Sequence, residues 1–278
     1  MPKEITISTN TGTLTRLGTP YYIVKALKKA GFKSYDFTMN NTIIGFDSLF
    51  DSDDYRQRAK DFKVYTDKLG IYCNQTHGYV PRTTKGATLN DRKDSYEKIK
   101  RTIEITKILG AKYCVLHPDS FCTMNENIDF FKSLKELAHE NDVVIAIENM
   151  PNDNLFGKPE DLITLLNGID DSYFQACLDI GHAEIAITGS TALDFITKLG
   201  TRIVCLHIHD NDKGHDLHQL PFTNGINFFE IFKALKENKY EGDITFESDI
   251  FQKMSPTLFV DAISFIREIG EYITTLIR

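Results

Sequence analysis

The sequence lacks a dense lysine or arginine run, an apolar run longer than about five residues, a C-x-x-C pair and a G-x-G-x-x-G fingerprint. Each absence removes a class. Without a basic stripe, and with a net charge of −7 over 278 residues, a broad electrostatic grip on nucleic acid or an anionic membrane is disfavoured, although a metal site can hold phosphate locally. The apolar runs are too short for a membrane span, and MPKEITISTN carries no apolar core of a signal peptide, so neither is expected. The cysteines number five, and Cys73, Cys114, Cys177 and Cys205 sit in apolar strand-like segments; Cys122 does not. They read as small hydrophobes in a reducing cytoplasm rather than as disulfides or zinc thiolates. The segment after the first strand, NTGTLTRLG, does not cradle a dinucleotide, which disfavours a doubly wound open sheet.

What remains is an ordinary globular composition, 41% hydrophobic and 26% charged. Short apolar runs alternate with helical patterns along the whole chain. Strands are expected near 4–9, 33–38, 71–77, 112–117, 143–148, 173–179, 202–209 and 242–247. Helices are expected over 20–30, 53–69, 91–109, 126–140, 159–166, 191–199, 228–236 and 256–276. Gly31, Gly70, Gly110 and Gly200 stand where helices should stop, and Pro159 and Pro256 suit first helical turns. Continuous apolar strands such as VVIAI and IVCL fit a parallel sheet covered on both faces. Eight strand–helix units predict an α/β fold, a single (β/α)8 barrel over residues 1–278, with no linker to mark a second domain.

The chemistry lies at the strand ends. His77, His117, Glu148, Asp179, His207 and Glu247 close six successive strands, at intervals of 40, 31, 31, 28 and 40 residues. In a barrel these ends share the C-terminal rim, where active sites of the fold sit. His182, in D-I-G-H, can turn back to the same rim. The stretch Cys205–His218, C-L-H-I-H-D-N-D-K-G-H-D-L-H, adds His209, Asp210, Asp212, His215, Asp216 and His218. Imidazole and carboxylate in such density suit a divalent transition metal.

Plainer readings exist for each residue. A lone His77 or His117 can be a hydrogen-bonded strand terminus, Glu148 or Glu247 can cap a helix, and Asp179 can form a turn before Gly181. His209 and His215 stay open between a supporting and a solvent-facing place. A shared rim favours metal, because buried carboxylates without a cation are costly. His139 lies in a polar helical segment and should face solvent. Met39, Met124, Met150 and Met254 read as packing. Phe46, Phe50, Tyr79, Phe121, Phe156 and Phe222 fit a water-excluding lid or ordinary loop packing, and Lys158 or Arg82 could meet an anionic group.

Together, L-H-P-D-S at 116–120, I-E-N-M at 147–150, L-D-I-G-H-A at 178–183, L-H-I-H-D-N with D-L-H at 206–218, and F-E-S-D at 246–249 resemble the xylose isomerase-like TIM barrel superfamily, over nearly the whole chain. That superfamily holds sugar phosphate isomerases and epimerases, and also AP endonucleases of the endonuclease IV type. For the sugar branch the resemblance implies a divalent metal, manganese or zinc with magnesium or cobalt as alternatives, held by Glu148, Asp179, His207 and Glu247. Glu148 and Glu247 would be the acid–base pair acting through an enediolate, with His182 on a substrate oxygen. The implied partner is a small sugar or sugar phosphate, without a membrane. A homo-oligomer is compatible with the family, but no patch in the sequence is diagnostic of one.

For the endonuclease branch the resemblance implies three zinc ions. His77, His117 and Glu148 would hold the first, Glu148, Asp179, His207 and Glu247 the second, and His182, Asp216 and His218 the third. Nucleic acid is a partner only on that alternative. The sequence departs from it at His209, where that branch has asparagine, and at P-F-T-N-G (221–225), where it has P-G-E-G. The acidic loop TMNNTIIGFDSLFDSDD also lacks the cationic wedge that a DNA-inserting loop needs. A metal-dependent sugar or sugar-phosphate isomerase/epimerase is therefore the expected activity, and a zinc-dependent AP endonuclease the alternative.

Overall fold

The computed structural model describes residues 5–39, 52–80, 89–151, 155–251 and 254–278. Among them, eight strands alternate with helices in chain order. The strands are β1 (Ile7–Thr9), β2 (Ser34–Thr38), β3 (Tyr72–His77), β4 (Tyr113–Leu116), β5 (Val144–Glu148), β6 (Phe174–Asp179), β7 (Ile203–His207) and β8 (Ile244–Phe246). All pair in parallel. β2 to β7 form one continuous curled ladder, and β1 pairs with β8. The bridges Asn10↔Asp36 and Ile208↔Phe246 join the two pieces at their C-terminal ends and complete the ring. The expected (β/α)8 barrel is the observed fold.

The continuous apolar strands resolve into two faces once the period of two is applied. Cys114, Leu116, Ile145, Ile147, Ala176, Leu178 and Leu206 belong to the large core shared with the surrounding helices. Their neighbours Val115, Ala146, Cys177 and Cys205 form a separate small cluster, the barrel interior. One more step of two along the strands leads from these small residues to His117, Glu148, Asp179 and His207. Small side chains below thus give the ligand-type residues a floor.

The outer layer is α1 (Pro20–Lys29), α2 (Tyr55–Leu69), α3 (Leu89–Leu109), α4 (Met124–Lys132), α5 (Lys135–Asn141), α6 (Pro159–Ile169), a short α7 (Ile180–Ala183), α8 (Ala192–Leu199), α9 (Phe228–Glu237) and α10 (Phe259–Ile277). Gly31, Gly70, Gly110 and Gly200 take positive φ at helix ends, as expected. Two helices differ from expectation. The single helix over 126–140 breaks at Ser133–Leu134, where the Ser133 hydroxyl donates to the Phe130 carbonyl and the Leu134 amide tightens to Phe131. The break lets both Phe131 and Leu134 reach the core. Pro256 opens a separate 3-10 turn, Pro256–Leu258, rather than α10 itself. All five cysteines are free, four of them buried, and no described helix is long and apolar enough to cross a membrane.

Candidate metal centre

A cleft of about 450 Å³ opens at the C-terminal rim, lined by His77, His117, Glu148, His182, Asp216, His218 and Glu247, with Asn10, Thr13, Thr38 and Asp249 around them. Asp179 and His207 form its fully buried floor. All nine side chains singled out in the sequence therefore meet at one place. His117 and Glu247 stand one residue beyond their strands rather than within them.

Three groups of donors can each converge on one ion: Glu148, Asp179, His207 and Glu247; His77, Glu148 and His207; and His182, His209, Asp216 and His218. His207 Nδ1 lies 3.2 Å from Glu148 Oε1 and 3.4 Å from Glu247 Oε1. His77 Nε2 is 3.5 Å and His117 Nε2 is 3.0 Å from Glu148 Oε2. In the third group Asp216 Oδ2 is 3.3 Å from both His182 Nε2 and His218 Nε2. Donors at about 2.0–2.2 Å around a tetrahedral ion stand about 3.3–3.6 Å apart, so these separations are those of ligand polyhedra. Both Glu148 oxygens, Asp179 Oδ2, His207 Nδ1 and both nitrogens of His209 are buried without a hydrogen-bond partner. Orphaned donors of that number are what a cation would satisfy, and the residues fit one.

The rings are aimed by backbone carbonyls. His182 Nδ1 donates to the Asn149 carbonyl at 2.9 Å, and His218 Nδ1 donates to the Glu247 carbonyl at 2.8 Å. In each, Nε2 is left as the lone-pair donor facing Asp216. The Asn149 amide in turn donates to the Asp179 carbonyl at 2.9 Å and accepts from the Asp179 amide at 2.8 Å. The Asp179 carboxylate caps α7 by accepting the His182 amide at 2.8 Å, which turns His182 back to the rim as expected.

The electrostatics follow from burial against mutual attraction. Burial would raise the Glu148 carboxyl, but His207 and His117 hold it well below its ordinary range. Asp179 is likewise held down by His182 and His209 against the effect of burial. Burial works against charge on His182, yet Asp179, Asp216 and Glu148 lift it to about 10. His218 is lifted to about 9 against burial, with Asp216 the leading partner. In the metal-free protein these two imidazoles carry protons at neutral pH, standing in for cations.

Asn10, Asp36 and Thr38 were not singled out in the sequence. Asn10 donates to Glu247 Oε1 at 2.8 Å and to Asp36 Oδ2 at 3.3 Å, and Asp36 Oδ2 lies 3.6 Å from His207 Nε2. Asn10 and Thr38 top β1 and β2 as the ligands top the other strands, so the period of two could have found them. The Asp210 carboxylate accepts the amides of Asn211, Thr223, Asn224 and Ile226, which organises the loop carrying Asp216 and His218. Of the two residues left open, His209 is fully buried and His215 is exposed, paired with Asp212 at 2.9 Å. His139 is exposed as expected and bonds Asp171. Tyr79 is buried beneath the Lys98 ammonium, Phe156 is buried, Phe222 packs on Phe228, Phe229 and Tyr272, and Phe121 is exposed. Lys158 is exposed at the start of α6, away from the cleft lining, while Phe46, Phe50 and Arg82 lie outside the described residues.

Comparison with known proteins agrees with this architecture. An uncharacterised protein of Methanocaldococcus jannaschii is 30% identical over 175 residues, 58% of this chain and 60% of its own. The chain spans only about half to three-fifths of the curated relatives that match first. A probable endonuclease 4 of Mycoplasmopsis agalactiae is 32% identical over 110 residues, 37% of this chain and 40% of that one. The fructoselysine 3-epimerase of Shigella flexneri is 23% identical over 216 residues, 68% of this chain and 70% of that one. Among solved structures, a D-tagatose 3-epimerase-like protein superposes with a TM-score of 0.77 at 21% identity, covering 98% of both chains. The IolI protein with a bound zinc atom gives 0.75 at 16% identity and the same coverage. A family model matches residues 24–269, and on that match the chain belongs to the xylose isomerase-like TIM barrel family.

Proposed function

We propose that this protein is a divalent-metal-dependent epimerase or isomerase of a small sugar or sugar phosphate. The observation that carries the reading is the placement of Glu148 and Glu247. They rise from β5 and β8, three strands apart around the ring, and both approach His207 Nδ1, at 3.2 and 3.4 Å. Two carboxylates reaching one centre from different sides suit a proton taken from one face of a carbon and returned to the other. The likeness to the sugar epimerases supports it. So does the cleft lining, in which, among the described residues, no lysine or arginine stands ready for a polynucleotide backbone.

Glu148, Asp179, His207 and Glu247 would hold the ion; three carboxylates with one imidazole suit manganese, and zinc, magnesium or cobalt are compatible. A divalent ion there supplies a Lewis acid that polarises a carbonyl and stabilises negative charge on its oxygen. One glutamate takes the proton from the carbon beside the carbonyl, and the C–H electron pair moves toward the carbonyl as an enediolate forms. The opposite glutamate, which enters the cycle protonated, gives its proton to the other face and leaves as the carboxylate, so the two glutamates exchange protonation states and substrate and product differ only in configuration or in carbonyl position. Asn10 holds Glu247 Oε1, which leaves Oε2 for the proton. His182 and His218, at the cleft wall, can meet substrate hydroxyls. A cytoplasmic setting goes with the five free thiols.

The test is incubation of the manganese-loaded protein with a panel of ketoses, aldoses and their phosphates in deuterium oxide. An epimer or isomer carrying one deuterium beside the carbonyl is expected. A second reading, a zinc-dependent phosphodiesterase, rests on the adjacency of three donor groups and on the partial match to the probable endonuclease 4. Cleavage of abasic duplex DNA, with no exchange into any sugar, would replace the first reading with the second.

A further inference from the structure

Asp36 stands in the middle of β2 and is fully buried. Tyr35 and Phe37 on either side join the core shared with the helices, so the period of two turns Asp36 into the barrel. Gln75 on β3 is its partner in register, because the ladder shifts between Tyr35 and Asp36 and passes over Asn74. Both side chains end at His207, on the ring edge away from the glutamates. His207 Nε2 lies 3.6 Å from Asp36 Oδ2 and 3.1 Å from the tip of the Gln75 amide. Nδ1, on the other edge, faces Glu148 and Glu247. His77 stacks on the same ring, with centroids 5.5 Å apart and planes 12° from parallel, which fixes its plane but not its proton. Asp36 Oδ1 makes no hydrogen bond, and Oδ2 receives one from Asn10 at 3.3 Å. A carboxylate buried with so few donors is costly unless positive charge faces it.

We propose that Asp36 is a positioning residue for His207, holding the ring proton on Nε2 so that the Nδ1 lone pair is turned to the ion. The inference rests on the reading in which Glu148, Asp179, His207 and Glu247 hold that ion. A neutral imidazole carries one proton, and the group facing each nitrogen decides where it sits. The Gln75 amide can offer Nε2 either an oxygen or an NH2 group, whereas an ionised carboxylate can only accept. Asp36 therefore selects. At 3.6 Å it works through charge rather than through a hydrogen bond. An imidazole that binds a cation at Nδ1 passes part of the positive charge to its Nε2–H, which is where the carboxylate stands. Asn10 ties this support to the proton-transfer side, since its Nδ2 donates to Asp36 Oδ2 at 3.3 Å and to Glu247 Oε1 at 2.8 Å. The carboxylate beneath the cleft and the glutamate at its rim are thus held in one chain of contacts.

The experiment is manganese titration of the full chain, with the free ion followed by electron paramagnetic resonance, for wild type, Asp36→Asn and His207→Ala. Asp36→Asn keeps the size of the side chain and removes its charge, and should weaken the Kd by about 10–100-fold. Its melting temperature without metal should stay near wild type, while the gain on loading shrinks. The proton itself is read in wild type, by long-range proton–nitrogen correlation spectra of histidine-labelled, zinc-loaded protein, where the signals missing from His207→Ala are those of His207. They should place the proton on Nε2, and this measurement stands even where Asp36→Asn fails to fold. A proton on Nδ1, a wild-type Kd in Asp36→Asn, or an equal loss of melting temperature with and without metal would each overturn the proposal. Manganese bound as tightly by His207→Ala as by wild type would overturn the metal reading along with it. Weakened binding in His207→Ala beside wild-type binding in Asp36→Asn would overturn the role of Asp36 alone.

Discussion

The side-chain amide of Asn10, the first residue beyond β1, donates to Oε1 of Glu247, the first residue beyond β8, at 2.8 Å. The rest of the Asn10 side chain is engaged as well. Its Oδ1 accepts the Gly12 amide at 2.7 Å and the Thr38 hydroxyl, and its Nδ2 reaches Asp36. Asn10 thus fixes which Glu247 oxygen is tied and which is free. Removing such a supporting partner typically costs about 10–100-fold in activity or metal affinity. Asn10→Ala should lower kcat by about that factor with KM changed far less; an unchanged kcat on the active sugar would remove Asn10 from the machinery.

Glu247→Gln keeps an oxygen for the ion and deletes the proton acceptor. Turnover should fall by about three orders of magnitude or more, while the manganese count per chain stays near wild type. Glu148 should still serve its own face of the substrate. One epimer should then exchange deuterium slowly without converting to the other. Near-normal interconversion would refute the assignment of Glu247.

The strand ends were legible because two local rules coincide there: a period of two in each strand, and a barrel that gathers those ends on one rim. His77, His117, Glu148, Asp179, His207 and Glu247 all follow from them. Asn10 and Thr38 obey the same rules, but neutral side chains do not announce metal chemistry. The position of His209 was not legible for a different reason. It depends on the Asp210–Gln219 pairing and on the space at Gly181, and both are contacts between segments that sequence spacing does not encode. The α4–α5 break is not legible in the sequence because the apolar pattern continues through Ser133, and only the tertiary demand on Phe131 and Leu134 reveals it.

The metal-free protein should have an unusual stability profile. His182 at about 10 and His218 at about 9 are raised above the unfolded imidazole value of about 6.5. Their contribution is full below about pH 6.5 and is lost as pH rises through 9 to 10, on the order of a few kcal/mol in all. Glu148, Asp179 and Asp216 are held below the ordinary carboxylate range, so their contribution is present above about pH 4.5 and is lost as pH falls through their folded values. Urea midpoints of chelated protein should therefore peak between about pH 4.5 and 6.5 and fall toward pH 10. An ion held by Glu148, Asp179, His207 and Glu247 would displace the proton of His207, whose imidazole is raised well above its ordinary value by Cys177, Glu247 and Glu148 against burial, so calorimetry in two buffers at pH 7 should show proton release, and affinity should rise with pH. A flat urea profile from pH 6 to 10, or no proton release, would contradict these assignments.

Asp210 offers a test of whether the loop, rather than the barrel, holds Asp216 and His218 in place. Its Oδ1 accepts the amides of Asn211 at 2.8 Å and Ile226 at 3.1 Å, and its Oδ2 accepts those of Thr223 at 3.1 Å and Asn224 at 2.8 Å. In Asp210→Asn one of these oxygens becomes an amide nitrogen facing two donors, which strands buried N–H groups at a cost of about 1–3 kcal/mol each. The barrel itself keeps its ladder, so the far-ultraviolet circular dichroism of the folded variant should match wild type while its melting temperature falls by several degrees. The manganese count per chain should stay near wild type, because Glu148, Asp179 and His207 end β5, β6 and β7 and Glu247 follows β8 directly, none of them on this loop. A variant that melts like wild type would show that these four amides do not depend on the Asp210 carboxylate.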